Sequence, residues 1–317
     1  MEFYFAPMEG LTDRIFRRLH SRYFPGIDRY YMPFYSPTMH RTLSAKESRE
    51  LPQAAEDSLT AIPQILTRNP EDFLWAAAVC RDLGYPEVNL NVGCPSGTVV
   101  AKGKGSGMLR DLEELRRFLD QVFSAAPLPV SIKTRIGLES PSEFPGILSI
   151  YNKYPLALLI VHPRVRSQYY KGEVNRDSFA FAAASSRNPL CYNGDILCTR
   201  QITDFGRDFP EVPAIMIGRG LLANPGMLSG CQDAARIEAF MEELLEAYCS
   251  AFGSSRNAMF RMKEYWSYLR WSFPQDSKLF KQLRKTTDVS QFRQITRDIF
   301  RTLPFSPEQG EKTHPEW

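Results

Sequence analysis

A chain of 317 residues, 43% hydrophobic and with a net charge of +3, can bury one large core, and a single α/β barrel of about 250 residues with an appendage fits as well as two ordinary domains. The apolar start at Met1 to Phe5 is too short for a signal segment, and no later run reaches the ~18 to 20 apolar residues of a membrane span, so a soluble, cytoplasmic protein is expected. The six cysteines (80, 94, 191, 198, 231 and 249) lie far apart, with no C-x-x-C pair and no histidine at ligand spacing, which argues against zinc and against a disulfide framework.

Eight short β-rich runs follow one another with helix-like stretches between them: Phe3 to Met8, Asp28 to Pro33, Ala61 to Leu66, Glu87 to Val92, Pro129 to Arg135, Leu158 to Arg164, Leu190 to Asp195 and Ala214 to Gly220. Most are continuous apolar runs, as expected of parallel strands covered on both faces, and their number matches a (β/α)8 TIM barrel, with an open doubly wound sheet as the alternative. After about residue 235 the spacing turns helical, through Ile237, Phe240, Met241, Leu244, Leu245, Tyr248 and Phe252, then Met259, Met262, Trp266, Leu269 and Phe273, then Phe292, Ile295, Ile299 and Leu303. The reading is a barrel over 1–235, a small helical bundle over 236–305 whose Met and aromatic stripes form its core, and a polar tail over 306–317.

Most strand runs end in polar or glycine residues, which a barrel would gather on one rim. Among them Cys94 sits on the loop Asn91-Val92-Gly93-Cys94-Pro95, directly after an apolar strand, where the alternatives are a buried thiol and a reactive one. Lys133 lies within Val130-Ser131-Ile132-Lys133-Thr134-Arg135, where a cation needs a partner. A flavin ring carrying negative charge around N1 and O2 would supply one, and a Schiff-base lysine of an aldolase-type barrel is the competing use. Gly103-Lys104-Gly105-Ser106-Gly107 is placed wrongly for a Rossmann loop and reads as a mobile lid, with Lys102 and Lys104 available to phosphates, or as a plain linker. Asn193-Gly194-Asp195 and Gly218-Arg219-Gly220 could form a monophosphate cradle, or equally a turn and a helix cap.

Taken in order, Ala6 to Asp13, Asn91 to Pro95 with Gly103 to Leu109, Ile132 to Gly137, Asn193 to Ile196 and Met216 to Gly220 resemble the successive motifs of the tRNA-dihydrouridine synthases, over about residues 3 to 230. The helical region, with Arg261-Met262-Lys263-Glu264-Tyr265-Trp266, is similar in placement and character. The resemblance implies an FMN-dependent enzyme that reduces the C5–C6 double bond of a uridine in folded tRNA, with NADPH as hydride source and Cys94 as the proton donor to C5. It implies that Pro7 and Met8 touch the flavin ring through the backbone, that Gln64 and Lys133 meet its polar edge, and that His162 is a further FMN ligand. By the same resemblance Asn193, Gly194, Asp195, Gly218 and Arg219 hold the ribityl and phosphate, Asn91 and Arg135 orient the target base, and Tyr169 flanks it. The chain departs from the family after the sixth run, where His162-Pro163-Arg164-Val165-Arg166 stands in place of His-Gly-Arg-Thr, excluding a backbone N–H at Pro163 and removing a hydroxyl at Val165.

Residues 256 to 301 hold eleven Lys or Arg against four acids, a local charge of +7 that leaves −4 elsewhere. This is either a solvated helix face or a grip on a polyanion. Since a base inside folded tRNA must be extruded to be reached, Arg256, Arg261, Lys263, Arg270, Lys278, Lys281, Arg284 and Lys285 are expected as phosphate contacts. The partners expected are tRNA and NADPH, with no membrane and no metal, and the protein is read as a monomer. The competing readings are an FMN barrel reducing a free small molecule, a non-catalytic RNA-binding barrel and an aldolase-type lyase using Lys133.

Overall fold

The computed structural model describes residues 1–230, 233–274 and 277–307, so Cys231, Asp276, His314 and the expected tail beyond residue 307 lie outside the described residues. Among the described residues there are nine short strands: β1 (Glu2–Phe5), β2 (Arg29–Tyr31), β3 (Ala61–Ile62), β4 (Gln64–Ile65), β5 (Val88–Val92), β6 (Val130–Arg135), β7 (Leu159–His162), β8 (Leu190–Tyr192) and β9 (Ala214–Ile217). The helices are α1 (Arg14–Tyr23), α2 (Ala45–Glu50), α3 (Pro70–Asp82), α4 (Gly97–Val100), α5 (Leu112–Ala125), α6 (Phe144–Tyr151) and α7 (Arg176–Ser185), followed by α8 (Thr199–Asp208), α9 (Arg219–Ala223), α10 (Ala234–Phe252), α11 (Ser255–Leu269), α12 (Lys278–Lys285) and α13 (Val289–Thr302).

The strands are parallel in the order β3-β2-β1-β9-β8-β7-β6-β5-β4. The two ends of that order are halves of one strand interrupted by Pro63, with β3 pairing to β2 and β4 to β5. Proline has no N–H for a ladder, so the break falls where one is tolerated, while the Pro63 carbonyl still accepts from Asn89 N at 2.8 Å. Counted as one stave, the split strand makes the arrangement an eight-fold parallel barrel, as the eight sequence runs lead one to expect.

The register lines up Asn91 with Lys133, Lys133 with Ile160, Ile160 with Cys191 and Cys191 with Ala214. Ile160, Cys191 and Ala214 belong to one buried apolar cluster with Tyr4, Tyr31, Ile62 and Met216. Alternate residues of a strand share a face, so Asn89 and Asn91 of β5, and Ser131, Lys133 and Arg135 of β6, point into the barrel. Their alternates Val88, Leu90, Val92, Val130 and Ile132 point outward and are fully buried or nearly so. Outside, α3 and α5 meet through Phe73 and Phe118, whose rings lie edge to face at 6.1 Å. The sequence dictates both starts: Asn69 caps α3 with Pro70 at its first position, and Asp111 caps α5 ahead of Glu113 and Glu114.

The chain forms two compact units that interleave along the sequence, where the sequence reading cut it once at 235. Met1–Glu9, Asp28–Gly194 and Phe205–Met216 make the barrel unit; Gly10–Ile27, Asp195–Asp204 and the described residues from Ile217 onward make the other. In the second unit α1 packs against α10, with Tyr23 Oη donating to Glu243 at 2.7 Å and an aromatic core of Phe16, His20, Phe24, Phe240 and Tyr265. The expected stripes of α10, α11 and α13 are buried at most positions, with Phe252 exposed. Helix α12, which the sequence reading did not assign, buries Phe280 and Leu283 and turns its lysines outward. Among the described residues no helix is long and apolar enough to cross a membrane, and no group of three or more His, Cys, Asp or Glu could hold a metal ion.

Candidate active site

Within the barrel unit the cysteine loop is set by a chain of side-chain amides. Asn89 Nδ2 donates to Ser131 Oγ at 2.8 Å, Gln64 Nε2 donates to Asn89 Oδ1 at 2.7 Å, and Asn91 Nδ2 donates to Gln64 Oε1 at 2.7 Å. Asn91 Oδ1 then accepts from the backbone N–H groups of Gly93 (3.0 Å) and Cys94 (2.9 Å), an Asx-type turn that fixes the thiol's backbone to the end of β5. All of these side chains are buried, so a missing partner anywhere in the chain would leave an unsatisfied polar group. Asn89 and Ser131 were not singled out from sequence; the alternation Asn-x-Asn in Val88 to Val92 was the available signal.

From the other side the Cys94 carbonyl accepts from Ser106 N at 3.1 Å and Ser106 Oγ at 2.8 Å. The glycine-rich segment is therefore not the mobile lid expected. Gly105 to Arg110 form a 3-10 turn with Gly105 to Leu109 buried, and a Cβ on Gly105 would come within 2.9 Å of the Cys94 carbonyl oxygen. Gly105 also has φ +58, so a glycine is required there on two counts. Lys104 Nζ donates to Ser36 Oγ at 3.2 Å, while Lys102 is exposed.

Cys94 is half-buried, and burial pushes its thiol up from its ordinary value against the pull of the Ser96 backbone N–H, Arg135 and Lys133. At neutral pH it is a protonated thiol. Lys133 is half-buried and makes no hydrogen bond or ion pair with another described residue. Burial, with the like charge of Arg135, brings its ammonium down to about 8.

Arg135 is 1% exposed and donates to the carbonyls of Gly93 (3.0 Å), Val165 (2.9 Å) and Tyr169 (2.6 Å), with its guanidinium over the Tyr170 ring. Three of its five donors are thus spent tying the cysteine loop to the loop after β7. Tyr169 itself is 42% exposed, has a positive φ of 51° and accepts from Arg166 through its hydroxyl. His162, at the end of β7, is buried and lies 3.3 Å through Nε2 from Arg164 Nη1. At the departure from the family pattern the Pro163 carbonyl accepts from Asn175 N, and the Val165 N–H finds the Gln168 side-chain oxygen at 3.0 Å.

Pro7 and Met8 follow β1 and are half-buried. Asn193 follows β8 and donates to the Met216 carbonyl at 2.8 Å; beside it, a Cβ on Gly194 would meet Val174 at 2.9 Å. In the second unit, Asp195 at a positive φ of 37° pairs with Arg219 at 2.5 Å, and Gly218 precedes the short α9. Arg261 lies in that unit beside Gly10, whose Cβ would come 3.5 Å from its guanidinium. Lys263, expected as a phosphate contact, is instead 8% exposed, its ammonium donating to the carbonyls of Arg284 (3.0 Å) and Thr286 at the end of α12. It satisfies helix carbonyls that would otherwise be orphaned.

The model of the dihydrouridine synthase family matches residues 4–308. A Pasteurella multocida protein named tRNA-dihydrouridine synthase B is 30% identical over 223 residues, covering 70% of this chain and 66% of that one. A Pseudomonas putida protein named tRNA-dihydrouridine(16) synthase is 30% identical over 317 residues, covering 93% of this chain and 96% of that one. Among solved structures, a morphinone reductase variant in complex with tetrahydroNAD superposes with a TM-score of 0.51 at 11% identity, over 71% of this chain and 85% of that one, a likeness of fold. With a family match that runs through both units and relatives at this level of identity, the chain belongs to the dihydrouridine synthase family of enzymes.

Proposed function

We propose that the enzyme is FMN-dependent and reduces the C5–C6 double bond of a uridine in tRNA to dihydrouridine, with NADPH as the reductant and Cys94 as the acid that protonates C5. The observation that carries this is the half-buried Cys94 thiol, pushed up from its ordinary value by burial, on a loop fixed by Asn91 at the end of β5, whose neighbour β6 bears a lysine with no hydrogen bond or ion pair to another described residue.

The barrel unit's donor set fits the flavin. Lys133 supplies a cation that makes no hydrogen bond or ion pair with another described residue, and the register and alternation of β4 to β7 turn Gln64, Asn91 and His162 to the same interior face, which is the chemistry that the anionic N1 and O2 edge of a reduced flavin requires. When bound, reduced flavin would supply hydride to C6. The residues do the rest: Lys133 compensates charge at the ring edge, Asn91 and Ser106 hold the thiol's loop from two sides, and Cys94 gives up its proton. A raised thiol pKa suits this role, because a thiolate could not donate.

Cys94→Ala should retain flavin and RNA-independent NADPH oxidation while losing about two to four orders of magnitude in dihydrouridine formation. Full activity in that variant would remove Cys94 from the chemistry. The substrate itself is tested by mapping dihydrouridine in tRNA from cells lacking this protein. Position 16 is the first to inspect, because the alignment to the protein named for it runs through the helical region. Unchanged dihydrouridine at every tRNA position would overturn the reading.

A further inference from the structure

The barrel unit carries a second concentration of positive charge beside the cysteine loop. A pocket of about 500 Å³ opens between the starts of α3 and α5, with Arg68, Gly103, Arg110, Asp111, Glu114 and Arg117 in its wall. Arg68, Arg110 and Arg117 form no ion pair or hydrogen bond with another described residue, and neither does Lys102 on the adjoining segment. On α5, which bears Arg117, the neighbouring Arg116 is by contrast held by Glu113 and Asp120, each at 2.8 Å. Lys104 shows the local field: burial first, then the like charges of Lys102 and Arg68, lower its pKa.

Two lining carboxylates, Asp111 and Glu114, stand against the three arginines, which leaves the wall one positive charge in excess. Asp111 accepts the N–H groups of Glu113 and Glu114 as the helix cap, and Glu113, beside Arg117, is occupied by Arg116, which leaves Glu114 as the lining carboxylate without a hydrogen bond. Two helices of 13 and 14 residues also begin here, but acids in their first turns, Glu71 and Asp72 on one and Glu113 and Glu114 on the other, offset their partial positive charge, so the arginines carry the site. Guanidinium groups without protein partners around an open pocket suit phosphate oxygens, which they can meet in bidentate fashion. Gly103 connects the pocket to the chemistry: the Arg68 guanidinium lies 3.1 Å from where its Cβ would be, and Gly105 and Ser106, two and three residues on, pack against the Cys94 carbonyl.

We propose that this pocket is a phosphodiester-binding site of the barrel unit, gripping the RNA backbone that flanks the uridine presented to Cys94; it rests on the function proposed above. The test compares native enzyme with the triple variant Arg68→Glu, Arg110→Glu, Arg117→Glu and its milder Arg→Gln counterpart, titrating unmodified tRNA at a series of salt concentrations. The expected result is an affinity at low salt reduced about tenfold or more, and a slope of log K against log salt shallower by about two to three, since each phosphate contact contributes about 0.7 to 0.9. NADPH oxidation without RNA should be unchanged. An unaltered slope in the Arg→Gln variant overturns the proposal, as does a raised KM for NADPH with RNA affinity intact, which would assign the pocket to the phosphates of the dinucleotide. Native enzyme that binds tRNA yet forms no dihydrouridine would defeat the proposed function, while the salt slope would still decide the pocket.

Discussion

Asn91 does with one side chain what the position of Cys94 requires: its oxygen takes two loop N–H groups and its nitrogen engages Gln64. The two halves of that role separate by mutation. Asn91→Ala removes both and should cost about 1–3 kcal/mol in stability by leaving buried groups unpaired. Asn91→Asp keeps the acceptors for the loop but faces Gln64 Oε1 with another acceptor, so it should hold the loop while weakening the Gln64 side. Thermal unfolding and dihydrouridine formation, measured on both, check this; equal damage from the two would deny the division of labour. Lys133 yields a second prediction. Its pKa in the protein is about 8, below the value of an ordinary lysine, so the protein without flavin holds it neutral above pH 8 while the unfolded chain is still protonated up to about 10.4. The sign follows: between those values folding stability rises with pH, and a ligand that needs the charged form must bring a proton with it. Flavin affinity should therefore weaken as pH rises through 8, and Lys133→Met should bind more weakly with a flat pH profile.

At the scale of elements, the staves were legible because parallel strands covered on both faces read as uninterrupted apolar runs, and Val88 to Val92 and Val130 to Arg135 fall within a residue or so of their predicted bounds. The split at Pro63 follows from proline's missing donor, but that its two halves face different neighbours is set by barrel closure, which no local pattern records. The same holds for α1, whose apolar face belongs with α10 more than two hundred residues away, and for Lys263 and Arg135, whose cationic side chains looked available until burial and backbone partners became visible. Lys263 can be tested as a helix cap: Lys263→Met should lower the stability of the second unit by about 1–3 kcal/mol, the value of hydrogen bonds to a charged group, and leave the salt dependence of tRNA binding unchanged. The α1 side of that unit carries an acid sensitivity. His20 is buried among Phe16, Phe24 and Phe240 with a nitrogen 3.1 Å from the Pro225 carbonyl, and burial takes its pKa down to about 3. The neutral form is the folded one, so stability is complete above about pH 6.5 and falls as pH drops toward 3, by about 1.4 kcal/mol per unit. His20→Gln should flatten that slope in acid unfolding curves; an unchanged slope would place the sensitivity elsewhere.

For the molecule as a whole, a net charge of +3 conceals a segment at +7, and the structure sorts that segment into cations that hold the fold and cations that do not. Arg293 is bound by Glu242 and Glu246, Arg297 lies 3.7 Å from Glu242, Arg301 pairs with Asp298, and Lys263 is spent on α12. Lys278, Lys281 and Lys285 make no ion pair or hydrogen bond through their ammonium groups with another described residue, are exposed, and recur at the spacing of one helix face, opposite the buried Phe280 and Leu283. Exposed pairs contribute little to stability, whereas exposed lysines on one face can release counterions from a nucleic acid. The two classes should therefore respond oppositely to mutation. Reversing Lys278, Lys281 and Lys285 to Glu should leave the melting temperature nearly unmoved and make the salt slope of tRNA binding shallower by about two to three. Arg293→Ala, which frees two carboxylates at the α10–α13 packing, should lower the melting temperature and leave the slope as it was. If the lysine reversals left the slope intact, the α12 face would be ordinary solvated surface, and the charge that grips tRNA would have to be sought among the remaining cations, the unpaired arginines of the barrel unit first.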